Sequence, residues 1–316
     1  MITIPTFFVL GAGASWPYGY PLGSELKRTI CDQLLNDQSG LCRVLHSLDF
    51  GRSDIVQFRK SLFYSGKISV DAFLEHREEF IEIGKSAIAC SLMLHEHEEK
   101  MFITGDWYEY FYNMLNVSSL EEFDQNEASI ITFNYDRSLE QYLFTALKNT
   151  FGESDRACAS KLNNISIVHV YGQLAPLPWQ DVTRRDTETF PWQDNSRRYN
   201  PDIDSVESLE KAASGIRIIH ENKDLANDPE FNKAHSLICK ATNVCFLGTG
   251  YNETNVRRLN ISCGSKPKHY YGTAYGLKNA ERSKIVDQFG RNNADIFFTK
   301  EDVDTLGFLR EMPVLI

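Results

Sequence analysis

The feature that most constrains this chain is a short apolar run ending in a glycine turn: Phe7-Phe8-Val9-Leu10, then Gly11-Ala12-Gly13-Ala14-Ser15. Four consecutive apolar residues without alternation fit a parallel strand buried on both faces. Glycine directly after such a strand permits a close approach of the backbone, and the start of the helix that follows favours negative charge. Strand, glycine turn and helix in that order point to a parallel α/β sheet that holds ligands beyond its strand ends. The dinucleotide-binding spacing G-x-G-x-x-G asks for a third glycine where Trp16 stands. Taken alone, the turn fits a phosphate cradle and a plain tight turn equally well.

Later segments repeat the pattern. Strands are expected at Ser129–Phe133, Ile165–Tyr171, Val244–Leu247 and His269–Tyr271, with a possible edge strand at Asp295–Thr299. Helical periodicity separates them at Asp136–Lys148 and Asn279–Phe289. This alternation predicts an α/β fold, a Rossmann-like doubly wound parallel sheet. Residues 1–35 and 126–300 would form the core, with 36–125 a helical insertion and 173–235 a loop-rich one containing Pro176, Pro178 and Pro191. Residues 301–316 read as a C-terminal tail. Within the first insertion, Ser69 is a candidate N-cap for a helical stretch that runs to about Glu99. The aromatic run Trp107–Tyr112 reads as core or an oligomer contact.

The 316 residues carry a formal net charge of −10, which argues against broad binding to a nucleic-acid backbone. No apolar run approaches the roughly 18 residues of a membrane span, and the start does not read as a signal peptide, so a cytoplasmic protein is expected. The seven cysteines are scattered and form no C-x-x-C pair. Neither disulfides nor a zinc site is expected from that spacing.

Three strand ends after the first carry polar chemistry. The second strand ends in Asn134-Tyr135-Asp136; Asn134 offers both a donor and an acceptor, whereas Asp136 could simply cap the next helix. The third ends in His169, Tyr171 and Gly172, and period-two alternation would place His169 and Tyr171 roughly 7 Å apart on one face. A histidine there is a candidate general base or a satisfied interior residue. The fourth ends in Gly248-Thr249-Gly250, followed by Asn252. His95-Glu96-His97 suggests a metal site, but residues two apart on a helix diverge, so a solvated helix face is expected. The pairs Arg184-Arg185 and Arg197-Arg198 read as exposed loop charges.

In order, G-A-G-A-S, T-x-N-Y-D-x-x-L-E, H-x-x-G and F-L-G-T-G-Y-N resemble the prokaryotic sirtuin-like family. Ser69–Leu74 (SVDAFL) and Tyr275–Arg282 (YGLxxAER) are similar to further segments of that family. The resemblance implies NAD as substrate. No cysteine occurs from Gln173 to Ala234, where classical sirtuins carry a four-cysteine zinc module. That points to the zinc-less branch, which hydrolyses NAD+ to ADP-ribose and nicotinamide, often in antiphage defence. The resemblance implies catalytic roles for Asn134, His169 and Asp136. It also implies NAD-binding roles for Gly11, Ala12, Gly13, Ala14, Ser15, Tyr135, Tyr171, Gly172, Gly248, Thr249, Gly250 and Asn252. Tyr171 stands where the family often has histidine. A homo-oligomer, or control by a partner such as an ATPase or nucleotide-handling protein, is implied as well. A silent NAD or ADP-ribose sensor and an NAD-dependent deacylase are the rival readings.

Overall fold

The computed structural model describes residues 1–182, 195–218, 228–261, 267–290 and 295–311. Six strands form one sheet: β1 (Thr6–Leu10), β2 (Ala128–Thr132), β3 (Ile167–His169), β4 (Asn243–Leu247), β5 (His269–Gly272) and β6 (Ile296–Phe298). Their order is β3-β2-β1-β4-β5-β6 and every pair is parallel. This is the doubly wound, Rossmann-like order that the strand and helix alternation predicts. The order reverses between β1 and β4, the place where such sheets open a crevice.

Alternation along the strands divides the core. Phe8, Leu10, Ile130, Cys245 and Leu247 face one apolar cluster, while Phe7, Val9, Ile131, Val244 and Phe246 face another. The first cluster takes in the helices that lie between β1 and β2, and Phe8 meets Phe111 edge-on at 5.1 Å. The second is covered by helices Pro229–Lys240, Glu253–Leu259 and Asn279–Gly290. Burial on both faces explains why the strands read as unbroken apolar runs. Trp107, Tyr108 and Phe111 are buried, so the aromatic run belongs to the core.

Several expectations change. The stretch from Ser69 is not one helix: Ser69 does cap Val70–Leu74 by accepting from the Ala72 N–H (3.2 Å), but a break precedes the helix Ile81–Met93. Residues seven apart in a straight helix lie about 10 Å apart along its axis. The break instead stacks Phe73 and Phe80 at 5.8 Å, with Arg77 over both rings. Strand β3 stops at His169, short of Tyr171, because the Gly172 N–H turns back to the His169 carbonyl (3.2 Å). The C-terminal segment contributes the helix Thr305–Glu311, whose Phe308 and Leu309 are buried. Cys31, Cys42, Cys90, Cys158 and Cys245 are free and buried, whereas Cys239 is disulfide-bonded, contrary to expectation.

The charged motifs are also placed differently. Glu96 is completely buried rather than solvated, and the helix before it ends at Met93. Its carboxylate accepts from Arg137 Nε and Nη2 (2.8–3.1 Å) and from Arg197 Nη2. Arg197 is therefore a buried ion-pair partner, while Arg198 is exposed. The Arg184-Arg185 pair and Pro191 lie outside the described residues. Among the described residues no group of three or more His, Cys, Asp or Glu side chains could hold a metal, and no helix is long and apolar enough to cross a membrane.

Candidate functional site

Two of the four strand-end loops are welded together by backbone. The Gly11 N–H donates to the Leu247 carbonyl (3.0 Å) and the Gly13 N–H to the Gly248 carbonyl (2.9 Å). A Cβ on Gly11 would come within 2.6 Å of the Gly248 oxygen, and one on Gly248 within 2.1 Å of the Ala14 nitrogen. Gly248 also has φ +60°, so glycine is required there twice over. Ala12–Ser15 is a single helical turn. The Ala14 carbonyl accepts from Trp107 Nε1 (2.8 Å), which ties this turn to the inserted helices. Thr249 Oγ1 is buried beside the Tyr251 hydroxyl, whose proton goes to the Thr273 carbonyl (2.9 Å). Gly250 is exposed with open space around it. The amides of Gly11 and Gly13 thus join two loops instead of pointing at a ligand.

The loop after β2 leans on this weld. Asn134 is half-buried, and its Nδ2 donates to the Gly11 carbonyl (3.0 Å) and to Ser15 Oγ (3.1 Å). Among the described residues nothing takes its Oδ1. Asp136 is buried, accepting from the Ser138 N–H (3.2 Å) and the Ser138 hydroxyl, with the Ser15 hydroxyl beside it. Burial holds the Asp136 carboxyl above the usual carboxylate range. The N-cap of helix Ser138–Phe151 is Arg137, so Asp136 stands one residue before the cap, although its carboxylate still satisfies the Ser138 N–H.

His169 is buried between two acceptors. Nδ1 meets the Asn134 carbonyl (2.9 Å) and Nε2 meets a Glu140 carboxylate oxygen. A carbonyl and an ionised carboxylate only accept, so this pair of neighbours favours a proton on each ring nitrogen. Burial pushes its pKa down, but the Glu140 carboxylate and the Asn134 carbonyl prevail, and the net shift is upward. In this arrangement neither nitrogen is open to take a proton, and His169 acts on the site by fixing the Asn134 backbone.

Tyr135 and Tyr171 point elsewhere. Tyr135 donates its hydroxyl to Asp71 of the inserted segment, and Tyr171 donates to Asn255 Oδ1 while accepting from Arg258 Nη1 (2.7 Å). Both tyrosines line a cavity of about 190 Å³, with Asp71, Asn252, Asn255 and Arg258 among its walls. His169 instead lines a larger cavity of about 660 Å³ beside β3. The single face expected for His169 and Tyr171 does not form, because the strand ends before the alternation reaches Tyr171. Gly172 (φ +74°) packs against the Gly215 carbonyl, where the two chain segments bridge. Asn252 caps the helix Glu253–Leu259, accepting from the Thr254 and Asn255 amides (2.9 and 3.4 Å).

The structure therefore gathers Asn134, Asp136 and Ser15 at the glycine weld, sets His169 behind them, and places Tyr135, Tyr171 and Asn252 around the smaller cavity. Sequence reasoning missed Asp71, Asn255 and Arg258 as cavity walls, Glu140 as the partner of His169, and Glu96 as the partner of Arg137. Glu140 left a signal, since it falls in line with the apolar positions of its helix. Comparison with models of known protein families gives no match, and comparison with characterised proteins finds no significant similarity.

Proposed function

We propose that this chain is an NAD+ glycohydrolase that cleaves the nicotinamide–ribose bond to give ADP-ribose and nicotinamide. The observation that carries this reading is Asn134. Its amide is anchored through Nδ2 at the point where the strand order reverses, and its Oδ1 remains open to a water or a ribose hydroxyl. Cleavage develops oxocarbenium character on the ribose, as in glycoside hydrolysis. The leaving nicotinamide is cationic in the ground state and departs neutral, so no general acid is needed. The site has to orient the ribose, support positive charge and aim a water at the anomeric carbon. Asn134 Oδ1 would hold the water. Asp136, beside Ser15 of the same cluster, would take the proton that the water loses as its oxygen bonds to carbon.

The resemblance to the sirtuin-like family supports the same reaction. The wider role, an effector of antiphage defence whose basal rate self-assembly or a partner raises, comes with the resemblance and belongs to the same proposal. A second reading, a non-catalytic NAD or ADP-ribose sensor, is favoured by the doubly hydrogen-bonded His169 and by the engaged amides of Gly11 and Gly13. Chromatography of NAD+ incubated with the purified chain and no acyl peptide separates the two. Equal amounts of nicotinamide and ADP-ribose are expected from a hydrolase; binding without either product would identify a sensor.

A further inference from the structure

The smaller cavity has walls of a definite chemical kind. At about 190 Å³ it is smaller than the roughly 300 Å³ at which pockets begin to enclose a drug-sized ligand, so it takes one ring, not a whole dinucleotide. One wall is acidic and comes from the inserted segment. Asp71 and Glu75 lie four residues apart and so share a helix face. A second wall presents Asn255, Arg258 and the Tyr171 hydroxyl, joined to one another, and meets the acidic wall where Arg258 Nη1 lies 4.0 Å from Glu75 Oε1. Phe133 and Tyr171, with ring centroids 5.8 Å apart, supply an aromatic side. Carboxylates only accept and guanidinium groups only donate, whereas a hydroxyl does both. A ring carrying several hydroxyls and an apolar C–H face is the ligand that matches all three walls. A carboxylate is also the group that dinucleotide-binding sheets use to hold ribose hydroxyls.

We infer that this cavity is a sugar-ring subsite and that Asp71, supplied by the inserted helix, determines its specificity by accepting from a ring hydroxyl. The inference rests on the NAD reading for the identity of the ring, a ribose beyond the pyrophosphate. Tyr135 shares Asp71 with the ligand and thereby couples the β2 loop to occupancy of the cavity.

Calorimetric titration of the full chain with ADP-ribose and with ADP tests the inference without turnover. A hydrogen bond to a charged group corresponds to about a tenfold change in affinity, so wild type should prefer ADP-ribose by about that factor or more. In Asp71→Asn the preference should collapse towards unity while ADP binding is unchanged, whereas a merely structural defect would weaken both nucleotides alike. Tyr171→Phe, which keeps the ring and removes a wall hydroxyl, should reduce the same preference and serves if the Asp71 variant does not fold. Equal binding of both nucleotides by wild type, or a preference that survives in the variants, would overturn the subsite and leave the NAD reading standing. No binding of either nucleotide to wild type would remove the NAD reading and the subsite together.

Discussion

The loops after β1 and β4 and the loops after β2 and β3 close the same crevice by opposite means. The first pair is held backbone to backbone, with Gly11, Gly13 and Gly248 in direct contact and no charged side chain between them. The second pair is held by buried charge. Arg137, next to Asp136, binds Glu96 and also donates to the Ala175 and Arg197 carbonyls (3.0 and 2.8 Å), while His169 binds Glu140. Backbone packing admits no added atom but is indifferent to pH. Charge pairing tolerates shape changes but fails when one partner is lost or titrated. The rigid side therefore serves as the reference against which the charged side positions Asn134.

Removing one charge should have the largest effect. Glu96→Ala strands Arg137 and Arg197, and losing one member of a buried ion pair typically costs about 3–5 kcal/mol, measurable by denaturant unfolding. Next comes Gly248→Ala, expected to destabilise by about 2–3 kcal/mol through positive φ and collision with the Ala14 nitrogen. Its neighbour Gly250→Ala meets nothing and should stay within about 0.5 kcal/mol. If the two glycine variants behaved alike, the backbone weld would be the wrong description of that side.

A pH titration of stability probes the charged side alone. The folded pKa of His169 is raised, so its contribution is complete below the ordinary histidine value of about 6.5 and is lost as pH rises through the folded value. Asp136 and Asp71 are also raised, by burial, and likewise favour the folded state on the acid side of their folded pKa values. Stability should thus decline as pH climbs above about 6, and Glu140→Gln should flatten that decline. An unchanged slope in the variant would exclude the His169–Glu140 pair as its source.

The strands were readable because their burial on both faces leaves unbroken apolar runs, and the glycine turns because only glycine fits where two backbones touch. Asn134 was readable as a polar residue at a strand end. The charged frame was not. Glu96 looks like a surface residue beside two histidines, and the distant Arg137, Arg197 and Asn200 amide make its burial tolerable, a pairing that local spacing cannot reveal. Tyr171 departs from the alternation for a local reason: period-two alternation holds only while the strand lasts, and β3 is three residues long. Asp71 reads as an ordinary first-turn acid, and its place on the cavity wall depends on how the insertion folds back over the sheet.

The most direct test compares nicotinamide release from NAD+ by wild type and Asn134→Ala at matched concentration, with thermal unfolding of both. Wild type should release nicotinamide, and the variant should lose about 100-fold or more in rate, the usual effect of removing a preorganised polar group from a reacting centre. Stability should fall by only about 1–2 kcal/mol, for two lost hydrogen bonds. A variant as fast as wild type, or a wild type that releases none, would contradict hydrolysis at Asn134.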